Sequence, residues 1–324
     1  MVDIRRKSEA AMQRIFIGIL GCVLGCPTLT SAQGPVPGIV VFGDSLSDSG
    51  NAFALAGGTN TPPDYAVDFF IVPDKPYARG GHHFSNGPTW IEQFAKSIGL
   101  TANARPAFRG SNPGATNYAV GGARARSDGG PGNLAEQVER FLQDFGGVAP
   151  SGALYVVEIG GNDLRDAAAL EDPNIIGGAL TAIAANISNL YAAGARKFLI
   201  WNVPKLAISP AIRKADALVP GTAWFIDVAV NVPYNSALEG LLGNLEQTLP
   251  GSQIYRFDAY ASIAAIHDQG ANYGLTEVEL PCITPNVAPF FCQKPDDYLF
   301  WDGIHPTKAA HAIFANEVAQ LLAQ

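Results

Sequence analysis

Short apolar runs alternate along this chain with longer stretches of helical periodicity. Ile39–Phe42, Asn117–Val120, Leu154–Ile159, Lys197–Trp201 and Gln253–Phe257 are brief apolar runs, rich in β-branched and aromatic residues, and predict buried strands. Apolar positions recur every three or four residues over Thr89–Ile98, Leu134–Phe145, Ile175–Ala193, Ala223–Leu249 and Thr307–Leu322, which predicts helices. Strands alternating with helices predict βα units and therefore a parallel sheet between helix layers, with chemistry collected at the carboxyl ends of the strands. Residues Leu55–Asn86, rich in Gly, Pro and aromatics, follow neither period and predict a long loop over that edge.

The first 32 residues have a different pattern. Arg5, Arg6, Lys7 and Arg14 precede the apolar stretch Ile15–Leu24, and Thr30-Ser31-Ala32 supplies small residues for cleavage, so residues 1–32 are expected to be an export signal peptide and residues 33–324 a single domain. A membrane anchor is the competing reading, but the apolar stretch is shorter than the roughly 20 residues a bilayer requires. Two strings ending in Cys22 and Cys26 also match a lipoprotein cleavage box, an alternative that would leave a lipid on the new terminus. Export to an extracellular or periplasmic compartment leaves Cys282 and Cys292, and an even pair in an oxidising compartment predicts a disulfide.

Charge narrows the partners. The whole chain carries −8, and loss of a leader with four basic and two acidic residues leaves about −10, which argues against nucleic acid. Neither a metal nor an organic cofactor is expected, and no stable membrane insertion after the leader is removed. The oligomeric state is not legible.

The candidate chemistry lies where the strands end. The run Gly38–Phe42 stops at Gly43-Asp44-Ser45-Leu46-Ser47-Asp48-Ser49-Gly50-Asn51, and Asp302-Gly303-Ile304-His305-Pro306 stands near the other end. A glycine turn after a buried strand can hold one serine exposed, and an acid and an imidazole three residues apart could meet it, in the chain order Ser, Asp, His. Asn117-Tyr118-Ala119-Val120-Gly121-Gly122-Ala123 and Val157-Glu158-Ile159-Gly160-Gly161-Asn162-Asp163 add glycine turns and amides at two more strand ends.

Together these four blocks resemble the GDSL, or SGNH, family of serine esterases and lipases, over nearly all of the chain after the leader. The resemblance implies a three-layer α/β/α fold with a flavodoxin-like parallel sheet of about five strands. It also implies Ser45 as nucleophile, His305 as general base, Asp302 as its orienting acid, and an oxyanion hole from the Ser45 amide, the Gly122 amide and the Asn162 side chain. Each position also has a plainer reading. Ser45 could cap a helix, the glycine pairs could be ordinary turns, Asn162 could cap the next helix, and Pro306 suits a helix start.

Residues Pro76–Trp90 resemble another family segment, in which His83 stands where arginine is common. Tyr65, Phe69, Phe70, Tyr77 and Phe84 could line an acyl or aryl pocket, with Tyr77 and Phe84 as the substrate-binding candidates, or could simply pack the loop. His82, His83, His267 and His311 receive no catalytic role. The expected function is an exported ester hydrolase working through an acyl-serine on small-molecule or lipid carboxylic esters. A phospholipase or acyltransferase, a carbohydrate acetyl esterase, and an inactive binding module are the alternatives.

Overall fold

The computed structural model describes residues 38–58, 82–110, 114–130, 132–283 and 288–324. The expected leader, and Tyr65, Phe69, Phe70 and Tyr77, lie outside the described residues.

Four parallel strands form the main sheet in the order β1 (Ile39–Gly43), β2 (Leu154–Glu158), β3 (Lys197–Trp201), β4 (Gln253–Phe257). Registry between β1 and β2 runs from Ile39 opposite Leu154 to Gly43 opposite Glu158. The run expected as a further strand, Asn117–Val120, lies parallel beside β1 but is not a regular strand. Tyr118 N–H donates to Val41 O at 2.8 Å and Val120 N–H to Gly43 O at 3.1 Å. Its other backbone groups turn away from the sheet: the Asn117 N–H donates to Arg105 O at 3.4 Å and its carbonyl accepts the Ala107 N–H at 2.9 Å, the Asn51 amide donates to the carbonyls of Asn117 and Ala119, each at 2.8 Å, and the Ala119 N–H goes to Asn117 Oδ1 at 3.0 Å. Counted with this edge segment, the order reverses between β1 and β2, which is the switch point where ligand crevices form in open parallel sheets.

Strand residues alternate between two apolar cores, because successive side chains of a strand point to opposite faces. Val40, Phe42, Tyr155, Val157, Phe198 and Ile200 face α3 (Leu134–Asp144), α5 (Asn174–Ala193) and α8 (Ala237–Thr248). Ile39, Val41, Leu154, Val156, Leu199 and Trp201 face α2 (Trp90–Ser97), α9 (Ala259–Asp268) and α10 (Lys308–Leu322). The protein is thus mixed α/β, with a parallel sheet and helices on both sides.

Several elements depart from the periodicity. The short helices α1 (Asn51–Leu55), α4 (Gly161–Ala169) and α6 (Pro210–Leu218) carry too few apolar positions to be visible as periods. The single helix expected over Ala223–Leu249 is divided into α7 (Thr222–Ala229), a π-helical segment Val230–Ser236 containing Pro233, and α8. Proline has no N–H to give and crowds the preceding turn, which accounts for the widened segment. A second, small sheet pairs β5 (Glu277–Pro281) with β6 (Tyr298–Phe300). Between them Cys282 and Cys292 are joined, with Cα atoms 4.8 Å apart. Cys282 N–H donates to Phe300 O at 3.0 Å and Ile283 N–H to Trp301 O at 2.9 Å, fixing the chain just ahead of Asp302.

Candidate active site

The serine is held by the turn that ends β1. Gly43 is required there: a Cβ would stand 2.5 Å from the carbonyl oxygen of Glu158. Asp44 N–H donates to that same carbonyl at 3.2 Å, and Asp44 Oδ1 accepts the Leu46 N–H at 3.1 Å in an Asx turn that brackets Ser45. Asp48, fully buried, closes the loop by accepting N–H groups from Gly50 and Asn51 at 2.7 and 2.6 Å on one oxygen and from Gly121 and Ala52 at 2.7 and 3.0 Å on the other.

The loop after β6 meets this turn. His305 Nε2 lies 2.8 Å from Ser45 Oγ, and His305 Nδ1 lies 2.7 Å from Asp302 Oδ2. The other carboxylate oxygen of Asp302 accepts the N–H groups of Ile304 and His305 at 2.8 and 2.7 Å, which fixes its rotamer. A carboxylate can only accept, so Nδ1 carries the proton and Nε2 presents its lone pair to the hydroxyl. Asp302 and His305 are both nearly inaccessible, whereas Ser45 is partly exposed.

Asn162 lines the same cavity as Ser45. The Asn162 side-chain NH₂ sits on Ala123 O at 2.9 Å and 3.4 Å from Asp44 Oδ2, next door to both Gly122 and Ser45. Gly122 has φ +82° and open space where a Cβ would stand, and among the described residues neither its N–H nor that of Ser45 is hydrogen-bonded. Ion pairs from α4 hold this loop. Asp163 accepts the Ala125 N–H at 2.7 Å, and Arg124, paired with Asp166 at 2.9 Å, donates to Gly122 O at 2.7 Å. The arrangement can therefore remove a proton from a hydroxyl and accommodate negative charge beside it.

Sequence reasoning missed the carboxyl groups under the nucleophile. Burial raises Asp44 to about 6, opposed by the Leu46 N–H and by His305. Glu158, at the end of β2, is pushed well above the usual carboxylate range by burial and then by the charge of Asp44, although it accepts the Ser47 hydroxyl at 2.8 Å. Ser47 Oγ in turn accepts the Trp90 indole N–H at 3.0 Å. The visible signal was an acid closing an otherwise apolar run, Leu154-Tyr155-Val156-Val157-Glu158. His311 is also buried, and burial lowers it to about 3, so it stays neutral beside the site.

A cavity of about 350 Å³ opens on Ser45 and His305. Its walls are mainly apolar and include Leu164 of α4, Leu206 and Ile212, Ile226 of α7, Val230, Ile263 and Ile304. Phe84 is not among its lining residues; it is buried with its ring 5.4 Å from that of His305, and a Cβ on Gly121 would come within 2.1 Å of it. His83 lies 2.8 Å from Glu92 Oε2, so this position faces an acid rather than an anionic ligand. His267 lies beside Asp268 and Glu279, away from the cavity lining. Among the described residues no group of three His, Cys, Asp or Glu side chains is placed to hold a metal ion.

The family model for GDSL-like Lipase/Acylhydrolase matches residues 39–318. GDSL esterase/lipase At2g04570 of Arabidopsis thaliana is 26% identical over 341 residues, covering 92% of this chain and 94% of the relative. GDSL esterase/lipase At1g71691 of the same plant is 28% identical, over 89% of this chain and 83% of its own. The solved structure of protein YXIM from Bacillus subtilis aligns with a TM-score of 0.45 at 16% identity, over 89% of this chain and 57% of that one.

Proposed function

Since the chain belongs to the GDSL-like lipase/acylhydrolase family, whose relatives are esterases and lipases, we propose that this ester hydrolase cleaves carboxylic esters through an acyl-enzyme on Ser45. The observation that supports this most directly is the unbroken line from Asp302 through His305 to the Ser45 hydroxyl, at 2.7 and 2.8 Å. His305 Nε2 takes the hydroxyl proton as Oγ bonds to the ester carbonyl carbon. The carbonyl oxygen becomes an oxyanion, which receives the N–H groups of Ser45 and Gly122 and one N–H of Asn162. His305 then delivers the proton to the departing alkoxide, the C–O bond breaks, and the acyl group remains on Ser45. Water, deprotonated by the same imidazole, repeats the sequence and releases the acid.

The acyl group occupies the apolar cavity, whose 350 Å³ lies at the lower end of the roughly 300–1,000 Å³ usual for small-molecule sites. Walls of Leu164, Ile226, Val230 and Ile263 favour an alkyl chain of medium length over acetyl, which disfavours the carbohydrate deacetylase reading. The proposal includes export: residues 1–32 act as the leader, 33–324 as the mature domain, and an oxidising compartment keeps Cys282 and Cys292 joined.

The test is turnover of p-nitrophenyl esters from acetyl to dodecanoyl, with fluorophosphonate labelling mapped by mass spectrometry. Turnover rising from acetyl into the medium-chain esters, with the label on Ser45 and loss of both in Ser45→Ala, is expected. Full activity in Ser45→Ala would overturn the assignment.

A further inference from the structure

The helix that walls the cavity has a second apolar face. On α7 and its π-helical continuation, Thr222, Ile226, Ala229 and Val230 line the catalytic cavity. Trp224 and Phe225 on the same turns are 71% and 57% exposed, Val228 and Val232 are also exposed, and Leu218 and Val219 extend the patch. Half of the large exposed hydrophobic side chains among the described residues fall within these 15 positions, 218–232. The one charged residue in the stretch, Asp227, is occupied by the Tyr260 hydroxyl at 2.8 Å.

The same cavity is lined by two cations, Arg165 of α4 and Lys205 after β3, the latter 5.6 Å from the centre of the Tyr260 ring, as well as by the buried acids Asp44 and Glu158. Neither stands in a salt bridge among the described residues, in a chain where 29 acidic residues outnumber 21 basic ones. Positive charge beside an apolar patch, in an acidic protein, matches a negatively charged amphiphile. Tryptophan and phenylalanine on a helix face are the side chains that settle into the boundary between head groups and acyl chains.

We propose that residues 218–232 dock on the surface of an aggregated anionic phospholipid, so that an acyl chain passes from that surface along the inner face of α7 to Ser45 while Arg165 and Lys205 face the phosphates. The argument for lipid is continuity. One helix presents apolar side chains outward to the aggregate and inward to the cavity, so a chain leaving the lipid phase need not cross water before it meets protein. This inference rests on the ester-hydrolase reading and deepens it by naming how substrate is presented.

The protein provides its own probe. Of its four tryptophans, Trp90, Trp201 and Trp301 are buried, so Trp224 is the indole that responds to a lipid surface. Full-length Ser45→Ala is mixed with vesicles of phosphatidylglycerol or of phosphatidylcholine and followed by flotation and tryptophan emission. Co-flotation and a blue shift with phosphatidylglycerol are expected, and at least tenfold weaker binding to phosphatidylcholine. The triple variant Trp224→Ser, Phe225→Ser, Val232→Ser, made in active protein, should hydrolyse soluble p-nitrophenyl butyrate within twofold of wild type. It should lose at least tenfold on phosphatidylglycerol vesicles. Trp224→Ser alone, with loss of the blue shift in the Ser45→Ala background, serves if the triple variant does not fold. Flotation unaffected by these substitutions overturns the proposal, as does wild-type protein that ignores vesicles. A self-association abolished by the triple variant, without vesicle binding, also overturns it and makes a second copy the occupant. Failure on every soluble ester would instead sink the hydrolase reading, and flotation is read independently of it.

Discussion

At the scale of single residues, Asn162 offers the sharpest separation of chemistry from binding. Its amide is held by Ala123 O at 2.9 Å, while its second contact, to Asp44 Oδ2, is a long 3.4 Å, the bond that the proposed oxyanion would replace. Removing one such donor from comparable sites slows turnover roughly 10² to 10³-fold. Asn162→Ala should therefore lower kcat by that amount on p-nitrophenyl butyrate while KM changes little; a raised KM with kcat intact would assign Asn162 to substrate binding. His311 makes a different kind of prediction. Held near 3 by burial, against 6.5 when unfolded, it stays neutral in the native state while the unfolded chain takes up a proton. The stability this difference contributes is fully present above pH 6.5 and is lost as pH falls toward 3, on the order of 1.4 kcal/mol per pH unit. Asp44, raised to about 6 by burial, works in the opposite sense, since the native state keeps its proton between pH 3.8 and 6 and gains stability as acid is added. The imidazole Nδ1 of His311 finds no hydrogen-bond partner among the described residues, so His311→Leu gives up no bond there. Urea midpoints measured from pH 4 to 7 should fall less steeply on the acid side in His311→Leu than in wild type, and parallel curves would show that His311 does not titrate this way.

Among the secondary-structure elements, the sequence was most legible where one side of the chain decides the outcome. β1, β2 and β3 are almost wholly apolar and buried, and β4, despite Gln253 and Arg256, keeps Ile254, Tyr255 and Phe257, so each strand was readable as a short apolar run. The run at Asn117–Val120 was different. Its backbone groups are claimed by Asn51, 66 and 68 residues away, and no local pattern announces a partner at that distance. The same limit hid α4: Gly160-Gly161-Asn162-Asp163 has turn chemistry, and only Asn162, Asp163, Leu164 and Ala167 of that helix are buried, too few for a period. The blocks around Ser45, Gly122, Asn162 and His305 were visible as motifs, whereas the buried acids Asp44 and Glu158 were not, because their environment depends on what lies behind the strand. Gly160 is where these elements meet. It has φ +125°, and a Cβ would fall 1.8 Å from the hydroxyl of Tyr234 in the π-helical segment. That hydroxyl donates to Ile159 O at 3.1 Å, so neither side can withdraw freely. Gly160→Ala combines backbone strain with overpacking and should destabilise the fold by roughly 2–5 kcal/mol. Gly161→Ala is the control: its Cβ would meet Asp44 at an ordinary 4.0 Å, so chemical denaturation should show a far smaller change. Equal losses at the two positions would mean that the contact with Tyr234 is not what restricts residue 160.

For the molecule as a whole, the site exists only because chain ends meet: Ser45 and His305 are separated by 260 positions, and ordering that span is an entropic cost set against the two buried cores. Closure rests on the sheet and on backbone hydrogen bonds that do not require the cross-link. Thr307 N–H on Leu299 O at 2.9 Å and Trp301 N–H on His305 O at 2.7 Å hold the Asp302–His305 loop on β6. The Cys282–Cys292 link acts on a smaller scale, since a separation of 10 residues restricts the unfolded chain by roughly 2–3 kcal/mol on loop-entropy grounds. These two contributions predict different responses to reduction. Opening the link, by reductant or by Cys282→Ala with Cys292→Ala, should lower Tm by roughly 3–5 °C for a chain of this size. At 25 °C kcat should stay within a few-fold, because the bonds that place Asp302 and His305 survive. A calorimetric scan beside a turnover assay separates the cases. If Tm is unmoved, the link does not restrain the unfolded chain, and if activity collapses while the fold persists, the loop's geometry depends on the cross-link rather than on β6.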